Sequence, residues 1–238
     1  MTRIRRAGTD GDGSRSRRER KLPRLERLRA NYSYGVVLIA IFVCFFFAAL
    51  APDATWSTSV LALFQSITLL LALWTAGWSA SERTTSFGLA FAGGLGAAVN
   101  LVSHGSDLTG AMNLLTGVLT LAIAFVIAAG AVAQGELNVK SVAGAICVYV
   151  LIGMIFTFVF GALAVFGSGP FFAQGTDGTR AIRLYFSFVT LATLGYGDYT
   201  AAGNLGHALA VLEALIGQLY LVTVVAVVVT RLRPHRER

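Results

Sequence analysis

Toward the C-terminal end of the chain stands Thr193-Leu194-Gly195-Tyr196-Gly197-Asp198, a run whose useful groups are its backbone carbonyls. For the carbonyls of Thr193, Leu194, Gly195 and Tyr196 to point toward one axis, successive residues must alternate in handedness. Glycines at 195 and 197 allow this at little steric cost. Several copies around the axis make stacked rings of oxygens, with the Thr193 hydroxyl as the lowest ring, and such rings can replace the water shell of a dehydrated potassium ion. The stretch just before, Ala181 to Ala192, is apolar and aromatic, and at about twelve residues it is too short to cross a bilayer of roughly 30 Å. It reads as a re-entrant half-helix. Irregular backbone at membrane depth is tolerated only where its polar groups are buried in protein or line a water-filled path, and the glycine run suits the second.

The elements that position this run are membrane helices. Of 238 residues 55% are hydrophobic and 13% charged, against about 25% charged in an ordinary soluble domain. Apolar runs give six spans, at about 35 to 51, 58 to 79, 87 to 102, 109 to 133, 142 to 166 and 204 to 230. The fifth and sixth flank the half-helix, and the Gly-rich stretch Gly167 to Gly178 ahead of it reads as an exposed turret loop. Small residues crowd the third span, Gly88, Gly93, Gly94, Gly96, Ala97 and Ala98, as close packing against a neighbouring helix requires.

The net charge of +7 is unevenly placed: residues 1 to 30 carry +7, residues 231 to 238 carry +3, and the chain between carries −3. Basic ends outside the apolar runs place both termini in the cytoplasm of a multi-pass cell-membrane protein, consistent with an even number of spans. The loops holding Arg83 and Lys140 then lie inside, and those holding Asp53 and Asp107 outside. The basic stretch Arg15 to Lys21 is read as a disordered topology determinant able to touch anionic lipid, not as a nucleic-acid site. A cleaved signal peptide at Ala49-Leu50-Ala51 is disfavoured by the long charged region before it and by Pro52 after it. Cys44 and Cys147 fall inside spans and indicate neither a disulfide framework nor a metal site.

From about Ser141 to Leu232 the sequence resembles the pore of potassium channels, whose signature is Thr-x-Gly-Tyr-Gly followed by Asp. Here that signature ends the aromatic stretch Leu184-Tyr185-Phe186-Ser187-Phe188-Val189-Thr190 between two full spans. The resemblance implies an all-α membrane protein of six transmembrane helices, with a re-entrant pore helix and selectivity filter between the fifth and sixth, closing as a homotetramer around potassium. It implies that Thr193, Leu194, Gly195, Tyr196 and Gly197 form the ion-coordinating filter, with potassium at Thr193 to Tyr196 and no cofactor beyond the permeant ion. Leu194 stands where Val is commoner. Tyr196 is expected to point into an aromatic cuff of Tyr185 and Phe186. Some channels carry a Glu in the pore helix four residues before the filter Thr. That position is Val189 here, ahead of Thr190, so Asp198 is expected to be held by the Tyr185 hydroxyl instead.

In the sixth span Gly217 lies twenty-two residues after Gly195, where related channels place a hinge, although packing would also explain a glycine there. Glu213, one turn earlier, is the one acid deep within a span and a candidate either to brace the pore helix or to respond to pH. The run Glu213 to Tyr220, including Gln218, also resembles inner helices of small bacterial potassium channels. The expected sections are a basic disordered cytoplasmic segment (1–33), a four-helix membrane domain without sensor charges (34–135), a pore domain (141–232) and a short basic tail (233–238).

A voltage sensor needs several Arg or Lys in the fourth span, because each charge crossing the field contributes about 2.3 kcal/mol per 100 mV. Ala111 to Ala133 contains none. The expected function is passive, potassium-selective conduction. The alternatives are a subunit of an uptake transporter, whose relatives usually repeat four degenerate pore loops in one chain, and a non-conducting regulatory subunit. No enzyme is expected, since His104, His207 and His235 are scattered and no nucleophile-base or metal-ligand spacing occurs.

Overall fold

The computed structural model describes residues 24–76, 80–102, 106–133 and 139–232. Residues 1–23 of the basic segment, His104, the 135–138 loop and the 233–238 tail with His235 lie outside the described residues, as do the side chains of Arg83, Asp107 and Lys140. The chain divides into Met1–Tyr32, of which the start of α1 is described, and Ser33–Arg238, which holds every other element.

Among the described residues seven helices follow one another: α1 (Arg24–Leu50), α2 (Thr55–Ala76), α3 (Ala80–Val102), α4 (Ser106–Ala133), α5 (Val139–Phe166), α6 (Arg180–Leu191) and α7 (Gly203–Leu232). The described residues of each of the six apolar runs, Ala51 apart, fall on a separate long helix. Four of these are long and apolar enough to cross a membrane, over Thr55–Trp74, Ala111–Ala129, Val142–Phe166 and Gly203–Val224, whereas the apolar parts of α1 and α3, Gly35–Leu50 and Phe87–Asn100, are shorter.

The main core joins all the early helices to α5 and α6. Val37, Ile41 and Cys44 of α1, Leu61 and Leu69 of α2, Leu119 and Ile123 of α4, Cys147, Leu151 and Met154 of α5 and Leu184 of α6 pack in one buried cluster. The glycines of α3 are only partly used for close approach. A Cβ at Gly93 would strike Ser66 and Leu119, and one at Gly96 would strike Leu115, while Gly88 and Gly94 face open space. Polar side chains buried in this bundle pair across helices: Gln65 Nε2 donates to Thr120 Oγ1 at 2.9 Å, and Asn100 Nδ2 to Ser59 Oγ at 3.0 Å. Buried amides without such partners would cost several kcal/mol in an apolar medium, on the order of 2–7. Cys44 and Cys147 are free and buried.

α1 ends just before Pro52, which cannot continue a helix. The tight corner that follows is pinned by Ser57, whose hydroxyl lies 2.6 Å from the Pro52 carbonyl and 2.9 Å from that of Ala54. This corner fixes Asp53 in space, which matters for α6.

The 167–178 stretch is an exposed loop over most of its length, as expected, with two exceptions. Phe171 and Phe172 are buried, within a ring cluster that includes Phe160 of α5 and Phe186 of α6. The Ala202 amide donates to the Phe171 carbonyl at 2.7 Å and the Ala173 amide to the Thr200 carbonyl at 2.9 Å. Apolar burial of two Phe side chains draws the loop inward, and its glycines permit the turns. Gly175 and Gly178 both have positive φ.

Candidate functional site

α6 is a short helix held at both ends. At its start Thr179 is the N-cap, accepting from the Ile182 amide at 3.3 Å, a contact that Ser and Thr favour because it satisfies one of the unpaired amides of the first turn. The Arg180 amide is satisfied from far along the chain, by Asp53 Oδ2 at 2.7 Å. A carboxylate at a helix N-terminus is also favoured by the helix dipole. The Arg180 guanidinium is buried and reaches Ser57 Oγ at 3.1 Å and, at the limit of hydrogen-bonding distance, the Ala48 carbonyl and Thr58 Oγ1. Burial lowers its pKa from the ordinary arginine value, and the nearby Asp53 charge acts in the opposite direction. Arg183 Nη1 donates to the carbonyls of Asp177 and Gly178.

The buried positions of α6 are Arg180, Leu184, Phe186, Ser187, Val189 and Leu191. Phe188, half-buried, meets the ring of Phe45 of α1 edge-on at 5.0 Å. It also lies over Gly153 of α5, where any Cβ would collide with its ring.

At the end of α6 the chain leaves the helix through its own carbonyls. Thr193 N donates to the Thr190 carbonyl and Leu194 N to the Val189 carbonyl, each at 2.9 Å. Val189 and Thr190 therefore support the following segment through their backbone. Positive φ then falls on every second residue: Thr193 at 56°, Gly195 at 57° and Gly197 at 78°. For Gly this region is free of steric cost. For Thr, branched at Cβ, it is an outlier that costs about 1–3 kcal/mol and persists only where the surroundings enforce it. Leu194 and Tyr196 are more than half exposed within the single chain.

Two glutamines brace the segment. Gln218 Nε2 of α7 donates to Thr193 Oγ1 at 2.9 Å from below. Gln174 Nε2 donates to the Asp198 carbonyl at 2.9 Å, while its Oε1 accepts from the Thr200 amide at 3.3 Å. Tyr185 stacks on Tyr196, with ring centroids 6.5 Å apart and planes 12° from parallel. Interaction with the Asp198 carboxylate, through a hydrogen bond, is the first cause that raises the Tyr185 hydroxyl above its ordinary pKa. The expected two-ring cuff around Tyr196 is divided, however. Phe186 turns to the other side of α6, within 5.2 Å of Phe160 and 5.3 Å of Phe172 by ring centroids. The period of a helix explains this, since adjacent residues face about 100° apart.

Gly217 sits directly against the end of α6, where a Cβ would strike the Leu191 carbonyl oxygen. Glu213 is fully buried, and its Oε1 lies 2.5 Å from Ser187 Oγ of α6. Tyr220 ties α7 to α5 by donating to the Ala145 carbonyl at 2.7 Å. Of the predicted site residues, Thr193 to Asp198, Tyr185, Val189, Thr190, Gly217 and Glu213 thus gather around one short helix and the segment after it, and Phe186 stands behind them.

Residues 145–233 match the ion channel family model. No curated protein and no solved structure matches the chain. The matched stretch begins in α5, contains all of α6 and the Thr193–Asp198 segment, and runs through α7. It supports an ion channel and points to a channel protein, not an enzyme. The matched stretch therefore holds the site just described, except Asp53, the α1–α2 corner and Phe45 of α1. That corner, with Arg180, Gln174 and Ser187, was missing from the sequence-based set of site residues. Arg180 carried a signal, as an arginine at the edge of an apolar run, but its partners lie more than a hundred residues away.

Proposed function

We propose that the chain is one subunit of a potassium-selective channel that conducts passively across the cell membrane as a homotetramer. The observation that carries this reading is the positive φ at Thr193, Gly195 and Gly197, alternating with Leu194 and Tyr196. That alternation is the conformation by which consecutive carbonyls line one axis, and four copies would supply the rings of oxygen that replace potassium's hydration shell. The Thr193 hydroxyl, with Gln218 below it, would make the innermost ring.

In this reading α6 is the re-entrant pore helix, and α1 to α5 and α7 cross the membrane with both termini cytoplasmic. The apolar parts of α1 and α3 are short, but the helices have 27 and 23 residues, about 40 and 35 Å at 1.5 Å per residue. Polar flanks that snorkel, or local thinning of the bilayer, accommodate such a mismatch at modest cost. Residues 34–135 form the peripheral four-helix domain, residues 141–232 the pore domain, and the basic ends 1–33 and 233–238 contact anionic lipid. No arginine-type sensor gates the pore, since no Lys or Arg occurs from Ala111 to Ala133.

The test is ion flux into liposomes holding the purified protein. Potassium flux well above sodium flux, blocked by external barium, is the expected result. Equal flux of the two ions would overturn selectivity, and no flux from a protein that is folded and tetrameric would favour a non-conducting subunit.

A further inference from the structure

The contact between Glu213 and Ser187 poses a question of proton counting. Ser187 Oγ lies 2.5 Å from Glu213 Oε1 and 2.7 Å from the Gly153 carbonyl oxygen of α5. A serine hydroxyl has one hydrogen. If Glu213 is ionised, that hydrogen can fill only one of the two approaches, and the other brings two acceptor oxygens together with nothing between them. The Gly153 carbonyl, which also accepts from Thr157 Oγ1 at 2.9 Å, is an acceptor only and has no hydrogen to offer. If Glu213 carries a proton, both approaches are filled: the carboxyl donates to Ser187, and Ser187 donates to Gly153.

A second observation points the same way. Glu213 Oε2 is buried and has no hydrogen-bond partner. An ionised carboxylate places charge on both oxygens and calls for donors at both, whereas the carbonyl oxygen of a neutral carboxyl loses far less when left alone. The helices packed on α7 are α5 and α6. From α5 the groups that face this seam are the Gly153 carbonyl and Tyr149, whose ring stacks on that of Tyr220 of α7. Cys147 and Tyr220 lie further along the same seam, where Tyr220 is occupied by the Ala145 carbonyl. From α6 the facing group is Ser187. Its cations, Arg180 and Arg183, are engaged at the opposite end of the helix.

We propose that Glu213 is protonated in the folded protein and that the chain Glu213 to Ser187 to Gly153 is a clasp joining α7, α6 and α5. Glu213 acts as a positioning residue. It stands one turn before Gly217, the point at which α7 abuts the Leu191 carbonyl, and so holds α7 in the register that supports the end of α6 and Thr193. Loss of the proton would place a charge beside an oxygen that has already given its hydrogen to Gly153, and would open the clasp. The clasp is therefore intact while Glu213 holds its proton and is lost when the proton leaves. Its effect on conduction rests on the channel reading above, but the protonation itself does not.

The experiment is infrared spectroscopy of the purified full chain at neutral pH, paired with potassium flux in liposomes. A protonated-carboxyl carbonyl band is expected in the wild type, absent in Glu213→Gln and shifted in Ser187→Ala. Glu213→Gln, which keeps a donor toward Ser187, is expected to retain flux. Glu213→Leu, with no donor, should lower flux about tenfold. A wild-type spectrum without that band overturns the proposal, as does flux in Glu213→Gln reduced as far as in Glu213→Leu. If the Gln variant fails to fold, the band in the wild type and its shift in Ser187→Ala decide the same point. A wild type that shows the band but no flux would count against the channel reading and leave the protonation standing.

Discussion

At the scale of single residues, the most informative is Thr193. Its left-handed backbone is held by a donor on each side of the chain: its own amide is spent on Thr190, and its hydroxyl accepts from Gln218. A hydroxyl oxygen that accepts from Gln218 keeps a second lone pair, which in the proposed channel would face the ion. Tyr185 stacks on Tyr196 at the outer end, and in the proposed channel its hydroxyl would hold the Asp198 carboxylate. Because that carboxylate raises the Tyr185 pKa above its ordinary value of 10.0, the hydroxyl remains a donor through neutral and weakly alkaline pH. The tether is lost only as pH rises through the raised value. Tyr185→Phe should therefore free Asp198 and change conductance and the rate of inactivation in single-channel records. Unchanged records would remove the tether from the account.

At the scale of elements, α6 is a helix of twelve residues, shorter than most isolated helices that persist in water. It is stabilised by tertiary contacts at both ends: Asp53 and Ser57 of the α1–α2 corner at Arg180, and α7 at Leu191 and Ser187. Any movement of the peripheral helices that shifts the corner would therefore be felt at the start of α6. Gly217 occupies the opposite contact, so its expected role as a hinge must coexist with a packing role. In Gly217→Ala the added methyl meets backbone, which cannot turn aside, and overpacking of that kind costs about 1–3 kcal/mol. The expected outcome is a lower melting temperature of the assembled protein. Normal melting with altered open probability would favour the hinge.

For the whole molecule, α7 is the anomaly. Over Gly203–Val224 only 11% of it is buried within the chain, against 44 to 61% for the other three strongly apolar helices. Leu205, Val211, Leu215, Leu219 and Val222 all stand exposed, as do Leu194 and Tyr196. In the proposed tetramer this face meets the other three copies and the pore. The peripheral helices bring no Lys or Arg into Ala111 to Ala133, and each charge that crosses the membrane is worth about 2.3 kcal/mol per 100 mV. Open probability should thus change only weakly across physiological voltages in planar bilayers. Steep voltage activation would require charges in a place this chain does not have them.

The sequence alone determined what depends on local composition and spacing. Apolar runs of bilayer length must be helices, since lipid offers no partners for an open backbone, and the glycines at 195 and 197 announce a backbone of alternating hand. It also marked Glu213 and Gly217 as unusual for their surroundings. Tertiary structure decided everything that joins distant parts of the chain. Asp53 reaches Arg180 across 127 positions, and Glu213 meets Ser187 across 26. Phe186 and Tyr185, adjacent in sequence, face opposite environments, and the loop expected to be exposed buries Phe171 and Phe172. Periodicity reports which face of a helix is apolar but not which neighbour covers it. A hydrogen bond adds the requirement that two side chains arrive within about 3 Å, and only the folded chain sets that distance.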